Sequence, residues 1–315
     1  AKMATVLGKV TDAEWFRELH AARKDFFNKT YIEPETGKTL FSAFVPEKKG
    51  SHIDIQTSYV LPLAFNIIDE ENRNKVIANL AETVRRENTT DRGQQCPSYS
   101  LMTGFIGTSW INKALSDYGH SDLAYRLLQQ TSYPSWLYSI EQGATTIWER
   151  LNSYTRTDGF GGNNRMNSFN HYSFGAVGAW MYNYSLGIQR DETFPGFKQF
   201  VLKPMPDPTG KMTYARGYYD SMYGRIESGW KVESGGIRYN FTVPANTTAT
   251  LYLPTASLRD VREKTKPVRK CKGVEFISEG NGEVVLKLLS GSYSFEVKKD
   301  YPLAARKRKK YVFVR

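Results

Sequence analysis

The apolar period of this chain changes once, near Pro195. That change restricts the chain to a helical part followed by a sheet part. Upstream, apolar residues recur at the three-to-four spacing of amphipathic helices. Residues 11–28 set Trp15, Phe16, Leu19, Ala22, Phe26 and Phe27 at that spacing, with Thr11 or Asp12 as the expected N-cap. Further helices are expected over 57–68, 72–87, 107–118 and 120–130, with a short one near 134–138 and a long one over 168–186. Gly119 stands between two of them, where a helix-ending glycine belongs. Helices joined by such short loops form αα-hairpins, and a row of them predicts a bundle, a solenoid or a toroid. Downstream of Pro195 the period is two. Strands are expected over 199–203, 212–219, 225–233, 237–243, 248–253, 274–277, 284–289 and 292–297. Gly235-Gly236, Asn281-Gly282 and Ser290-Gly291 supply turns between them. So many short strands predict an antiparallel β-sandwich.

The net charge of +11 raises the question of a nucleic-acid partner. About +9 of it falls after Leu258, in a segment that holds Arg262, Lys264, Lys266, Arg269, Lys270, Lys272 and the basic run 306–310. No stacking aromatics interleave with these charges and no nucleic-acid motif accompanies them, so basic loops and a solvated tail are expected instead. No stretch approaches the ~20 apolar residues of a membrane-spanning helix. The first nine residues lack the basic flank and apolar run of a signal peptide, and nothing else in the chain indicates a compartment. Cys96 and Cys271 lie too far apart in sequence to suggest a disulfide framework or a zinc cluster. With no phosphate-binding glycine loop and no paired metal-ligand histidines, no cofactor and no metal are expected.

Two stretches carry chemistry. In Gly143-Ala144-Thr145-Thr146-Ile147-Trp148-Glu149-Arg150 an aromatic ring stands beside a carboxylate. Apolar surroundings would raise the Glu149 pKa and fit it for proton transfer, whereas Arg150 would keep it ionised as a base. The plainer local reading is a surface glutamate paired with Arg150. In the second stretch, 168–180, Gly175, Ala176, Gly178 and Ala179 allow close helix packing, with Asn170 and His171 at the N-terminal end. By itself His171 reads most simply as a structural hydrogen-bonding histidine. Between the two stretches, the glycines of 158–162 predict a mobile loop at a pocket rim.

At these stretches the sequence resembles the bacterial α-L-rhamnosidases of glycoside hydrolase family 78. The likeness includes Asp54-Ile55-Gln56-Thr57-Ser58-Tyr59, Gly104-Phe105-Ile106-Gly107-Thr108 and Ala114-Leu115-Ser116-Asp117-Tyr118-Gly119-His120. It continues through Tyr133-Pro134-Ser135-Trp136 and the two stretches above to Tyr223-Gly224-Arg225-Ile226 and Val243-Pro244-Ala245-Asn246-Thr247-Thr248-Ala249. The resemblance covers roughly residues 1–297. It implies part of an (α/α)6 barrel over 1–194, a β-sandwich over 195–300 and a basic tail over 301–315. It also implies inverting hydrolysis of terminal α-L-rhamnosyl residues, with Glu149 as general base, His171 as a sugar contact and Trp148 as a weaker candidate for a wall of the site.

The family's acidic motif with the general acid has no counterpart in the sequence. Only six or seven helices are expected, where a full toroid has twelve. The chain therefore reads as a C-terminal portion of a larger enzyme, to be completed by the missing half-barrel or an oligomer partner. Its inner helices would expose apolar faces. Asp54, Glu141 and Asp158 are the available carboxylates. Each reads as a cap or a solvated loop charge rather than as the acid. Two alternatives stand beside the leading reading. One is a non-catalytic or degenerate carbohydrate-binding chain. The other is a different glycosidase or phosphorylase on the same toroid, since a fold does not fix a function. In the sandwich, Tyr218, Tyr219, Tyr223 and Trp230 are expected in the core and at an interface rather than on a binding face.

Overall fold

The computed structural model describes residues 1–42, 44, 46–90, 93–161 and 165–298. The basic run 306–310 and part of the glycine loop lie outside them. Contacts divide the chain into two compact units, 1–176 and 177–315.

The first unit is helical. It comprises α1 (Lys2–Val6), α2 (Val10–Tyr31), α3 (Gln56–Ala64), α4 (Glu70–Arg85), α5 (Gly104–Asp117), α6 (Ser121–Gln129) and α7 (Trp136–Glu141), with a small ribbon of β1 (Asn88–Thr89) and β2 (Gln95–Cys96). Helix α3 packs on α4 and α5, and α5 packs on α6. Around them Tyr59, Val60, Val76, Leu80, Val84, Ile111, Leu115, Leu123 and Leu127 are buried. The turn from α5 to α6 ends as expected. Gly119 has φ +85°, its N–H donates to Ser116 O, and the His120 N–H donates to Leu115 O at 2.7 Å, which is the Schellman pattern.

The Asp54–Tyr59 motif is structural. The Gln56 side chain, 1% exposed, donates to Thr83 O and Ser100 O and accepts the Met102 N–H. It thereby ties α3 to α4 and to the approach to α5 with every polar atom satisfied. Thr57 Oγ1 donates to Thr103 O, and Gly107 lets the two helices close up, since a Cβ there would stand 2.5 Å from Thr57 Oγ1. Asp54 is neither a cap nor a solvated charge. It accepts from the Tyr59 hydroxyl at 2.6 Å and from Arg86 at 3.0 Å, with Lys38 at 3.4 Å. Burial pushes its carboxyl up, but the Tyr59 and Arg86 bonds and the nearby cations hold it below the usual range.

Helix α2 departs from expectation. It starts at Val10, after α1, and its N-cap Lys9 makes no side-chain capping bond, so neither Thr11 nor Asp12 caps it. Of its 22 residues only Ala13 and Asn28 are buried. Trp15, Phe16 and Phe26 are exposed along it, as are Met3 and Val6 on α1 and Leu7 just after it.

The second unit opens with a short α8 (Val177–Trp180) and one π-helical turn, Met181–Ser185. The long helix expected over 168–186 is therefore broken: Ser173–Ala176 is a 3-10 turn, and residues before it are not helical. Two sheets follow, built from β3 (Ile188–Arg190), β4 (Gln199–Leu202), β5 (Tyr214–Ser221), β6 (Gly224–Glu233), β7 (Gly236–Val243), β8 (Thr248–Leu253), β9 (Val261–Glu263), β10 (Lys266–Pro267), β11 (Val274–Gly280), β12 (Glu283–Leu288) and β13 (Gly291–Lys298). The six-stranded sheet runs β10-β9-β13-β7-β6-β5, and the five-stranded sheet runs β11-β12-β8-β4-β3. All pairs are antiparallel except β4 with β8, which is parallel. Residues from both sheets, including Phe200, Trp230, Tyr239, Leu251, Leu286 and Phe295, form one core, as in a sandwich. Trp230 lies in that core and donates Nε1 to Ser185 O. Tyr218, Tyr219 and Tyr223 do not: they are 41–49% exposed.

Candidate active site

The two chemistry-bearing stretches meet in the first unit as an antiparallel bracket. The Glu149 N–H donates to Ser168 O at 2.9 Å, and the His171 N–H donates to Ile147 O at 2.8 Å. The Thr146 hydroxyl adds a third bond, donating to Phe169 O. The Glu149 carboxylate closes the bracket from its side chain, with Oε2 accepting the Ser168 N–H at 2.8 Å. This explains the broken helix. The Ser168 and Phe169 carbonyls, which a helix would turn toward N–H groups four residues on, accept across the bracket from the Glu149 N–H and the Thr146 hydroxyl. The Ser173 N–H goes to His171 Nδ1, so regular turns begin only at Ser173.

Glu149 is half-buried, and Trp148 beside it is 7% exposed. The indole packs edge-to-face on Phe169, at 5.2 Å between ring centres, and Phe160 meets Phe169 in the same way at 5.7 Å. His171 stacks on Phe105, 4.8 Å between centres and 20° from parallel. Its Nδ1 accepts the Ser173 N–H at 3.4 Å. In the neutral ring that assignment leaves the proton on Nε2, as a donor. Tyr172, 85% exposed, has its ring parallel to the imidazole, within 2° and 5.8 Å between centres. Trp136 Nε1 donates to Phe174 O at 2.8 Å and anchors the turn after His171.

The bracket therefore holds a carboxylate by one oxygen, next to an imidazole fixed in plane and several apolar rings. Such a set can take a proton from water, donate to a hydroxyl and cover an apolar sugar face. Sequence reasoning named Glu149, His171 and Trp148, and one bracket contains all three. It did not name Ser168 as the group that orients Glu149, because a main-chain donor has no residue-type signature. It also did not single out Phe160, Phe169 or Tyr172, which are ordinary aromatics until folded.

The other carboxylates have local roles. Asp158 accepts from the Thr155 and Thr157 hydroxyls, and Glu141 is exposed at the end of α7. Among the described residues no group of three or more His, Cys, Asp or Glu side chains is placed to hold a metal ion. No helix among them is long and apolar enough to cross a membrane.

Residues 1–185 match the family described as the bacterial alpha-L-rhamnosidase 6 hairpin glycosidase domain, and residues 187–267 match the bacterial alpha-L-rhamnosidase C-terminal domain. An alpha-L-rhamnosidase of Formosa agariphila is 32% identical over 298 residues, which is 95% of this chain and 29% of the relative. One from Streptomyces avermitilis is 35% identical over 297 residues, 94% of this chain and 25% of the relative. The chain thus spans between a quarter and a third of the length of these relatives. The solved structure of the Streptomyces avermitilis alpha-L-rhamnosidase complexed with L-rhamnose superposes with a TM-score of 0.76 at 34% identity, over 94% of this chain and 25% of that one. The alpha-L-rhamnosidase from Dictyoglumus thermophilum gives 0.75 at 30% identity, over 95% of this chain and 30% of that one.

Proposed function

The chain belongs to the bacterial α-L-rhamnosidase family, and from that premise we propose that it carries the base-bearing side of an inverting α-L-rhamnosidase site. Glu149 takes a proton from the water that attacks the anomeric carbon. The bond from that carbon to the glycosidic oxygen breaks, and the leaving oxygen is protonated by a second carboxyl. In inverting glycosidases the two carboxyls stand ~6.5–9.5 Å apart, with the water between base and sugar. Nε2–H of His171 donates to a sugar hydroxyl. The rings around the bracket, with Trp148 as the wall behind Glu149, cover the methyl of the 6-deoxy sugar. The observation that carries this reading is the bond from the Ser168 N–H to Glu149 Oε2, which fixes a base by one oxygen and leaves the other for water.

A second reading, rhamnose binding without hydrolysis by this chain, is favoured by the engagement of Asp54 with Tyr59, Arg86 and Lys38. Hydrolysis of an aryl α-L-rhamnoside, with the anomer of the first product read by NMR, separates the two. Inversion, with Glu149→Gln lowering kcat by about 10²–10⁴-fold, supports the first reading. Retention of configuration, or turnover in the variant within a few-fold of wild type, overturns it. Calorimetric binding of L-rhamnose with no turnover in the unsubstituted protein supports the second.

A further inference from the structure

The second unit carries a concavity of about 1080 Å³ over its six-stranded sheet, lined wholly by residues of that unit. Strand alternation sends Trp230, Tyr239, Phe241 and Phe295 into the core and sets Tyr214, Arg216, Tyr218, Glu227, Lys231, Asn240 and Thr242 on the outward face. The dip has a sequence cause. Gly229 sits across from Arg216 on one side and Asn240 on the other, so the middle of that row has no side chain. Arg216 leans over the gap, since a Cβ at Gly229 would come 3.3 Å from Arg216 Cγ.

Three features of this face point to one ligand chemistry. First, it presents exposed rings, one of them held in place. Tyr214 and Tyr218 are 65% and 49% exposed. The Arg225 guanidinium lies 3.8 Å from the Tyr218 ring centre and is itself held by Asp220 through bonds of 2.8 and 3.1 Å. One face of the ring is thereby covered, and the ring is held ready to stack on an apolar surface with the other. Second, Asn240, Thr242, Ser292 and Ser294 supply neutral donors and acceptors along the floor. Third, the charge is one-sided. Arg216, Lys231 and Lys264 line the concavity, and the only lining carboxylate, Glu227, accepts from Thr242 Oγ1 at 2.9 Å. Among the described residues Arg216 and Lys231 form no ion pair, and Lys264 reaches only its neighbour Glu263, at 3.9 Å.

We propose that this outward face binds an anionic glycan. The tyrosines stack on sugar rings, the floor bonds hydroxyls, and Arg216, Lys231 and Lys264 neutralise carboxylate or sulfate groups. The volume lies just above the usual ~300–1,000 Å³ of small-molecule sites and suits a short run of sugar rings rather than one.

The test is calorimetry or affinity electrophoresis of the full chain at about 150 mM NaCl, where long-range charge effects are largely screened. The probes are polygalacturonate for a carboxylate glycan and dextran sulfate for a sulfated one, with polyglutamate as a polyanion without sugar rings. Binding to either glycan and not to polyglutamate is expected, and the glycan preferred identifies the anion. Tyr218→Ala and the double variant Arg216→Ser/Lys231→Ser are each expected to weaken binding at least about tenfold, or 1.4 kcal/mol. Lys270→Ser/Lys272→Ser, which removes equal charge outside the concavity, is expected to leave binding within about twofold. All three variants are exposed substitutions, and matching thermal midpoints show that they fold. Equal binding of polyglutamate, no loss in Tyr218→Ala, equal loss in the Lys270/Lys272 control, or no binding to either glycan would each overturn the proposal.

Discussion

Glu149 and Ser168 hold one another twice. The Glu149 N–H donates to Ser168 O at 2.9 Å, and the Ser168 N–H donates to Glu149 Oε2 at 2.8 Å. The second bond needs only an acceptor on the side chain, not a charge. Glu149→Gln keeps that acceptor and is expected to change unfolding free energy by less than about 0.5 kcal/mol, whereas Glu149→Ala loses it and is expected to cost about 1–2 kcal/mol. Urea titration of the three proteins measures the difference. Equal stability of the glutamine and alanine variants would mean that the clasp does not form in solution.

His171 is held by its stack on Phe105 and by Nδ1, which leaves Nε2 as the outward donor. Replacing it with Phe keeps the stack and removes the donor. The expected result is an L-rhamnose affinity lowered by about tenfold, the worth of one hydrogen bond to a sugar hydroxyl, with a stability loss of no more than about 1 kcal/mol from the lost Ser173 bond. An affinity unchanged by His171→Phe would reduce the imidazole to a packing role.

Asp54 predicts an acid limit. Its carboxyl lies below its ordinary value of 3.8 in the folded chain. A group depressed in this way contributes stability that is complete above its unfolded pKa and is lost as pH falls through the folded one. Stability is therefore expected to drop from about pH 4 downward, with part of that slope absent in Asp54→Asn. At neutral pH the same substitution is expected to cost about 1–3 kcal/mol, because Arg86 and Tyr59 lose a charged partner. Denaturant midpoints between pH 3 and 7 test both statements. A variant as acid-sensitive as the wild type would show that other carboxylates set the limit.

Gly187 stands where no side chain fits. Its φ is +73°, and a Cβ there would lie 2.1 Å from Pro204 N and 2.2 Å from Lys203 C. Both are main-chain atoms of the segment after β4, so neither can swing away. Gly187→Ala is expected to destabilise the second unit by more than about 3 kcal/mol, the sum of a left-handed backbone and a steric clash. Tryptophan fluorescence during urea unfolding follows this through Trp230, and a loss below about 1 kcal/mol would mean that the loop relaxes at little cost.

The sequence by itself determined the order of helix and sheet, since that depends on residue period alone. It also determined features that depend on a few neighbouring residues: the Schellman turn at Gly119 and the span of β8 at Thr248–Leu253. It brought Glu149 and His171 forward as candidates through a family resemblance, and the two stretches that hold them are bonded to one another in the fold. Only the tertiary structure decided what joins distant segments. The helix expected over 168–186 rests on apolar spacing, but the Ser168 and Phe169 carbonyls that would start its ladder accept from the Glu149 N–H and the Thr146 hydroxyl of a distant segment. The parallel pairing of β4 with β8 joins strands separated by β5, β6 and β7, and no turn signal encodes it. Asp54 looked like a loop charge because Arg86 lies 32 residues away and Lys38 lies on another segment. Tyr218 looked like core because aromatic residues in a strand usually are. Strand register, which flips every side chain when it shifts by one, turned it outward beside Arg216.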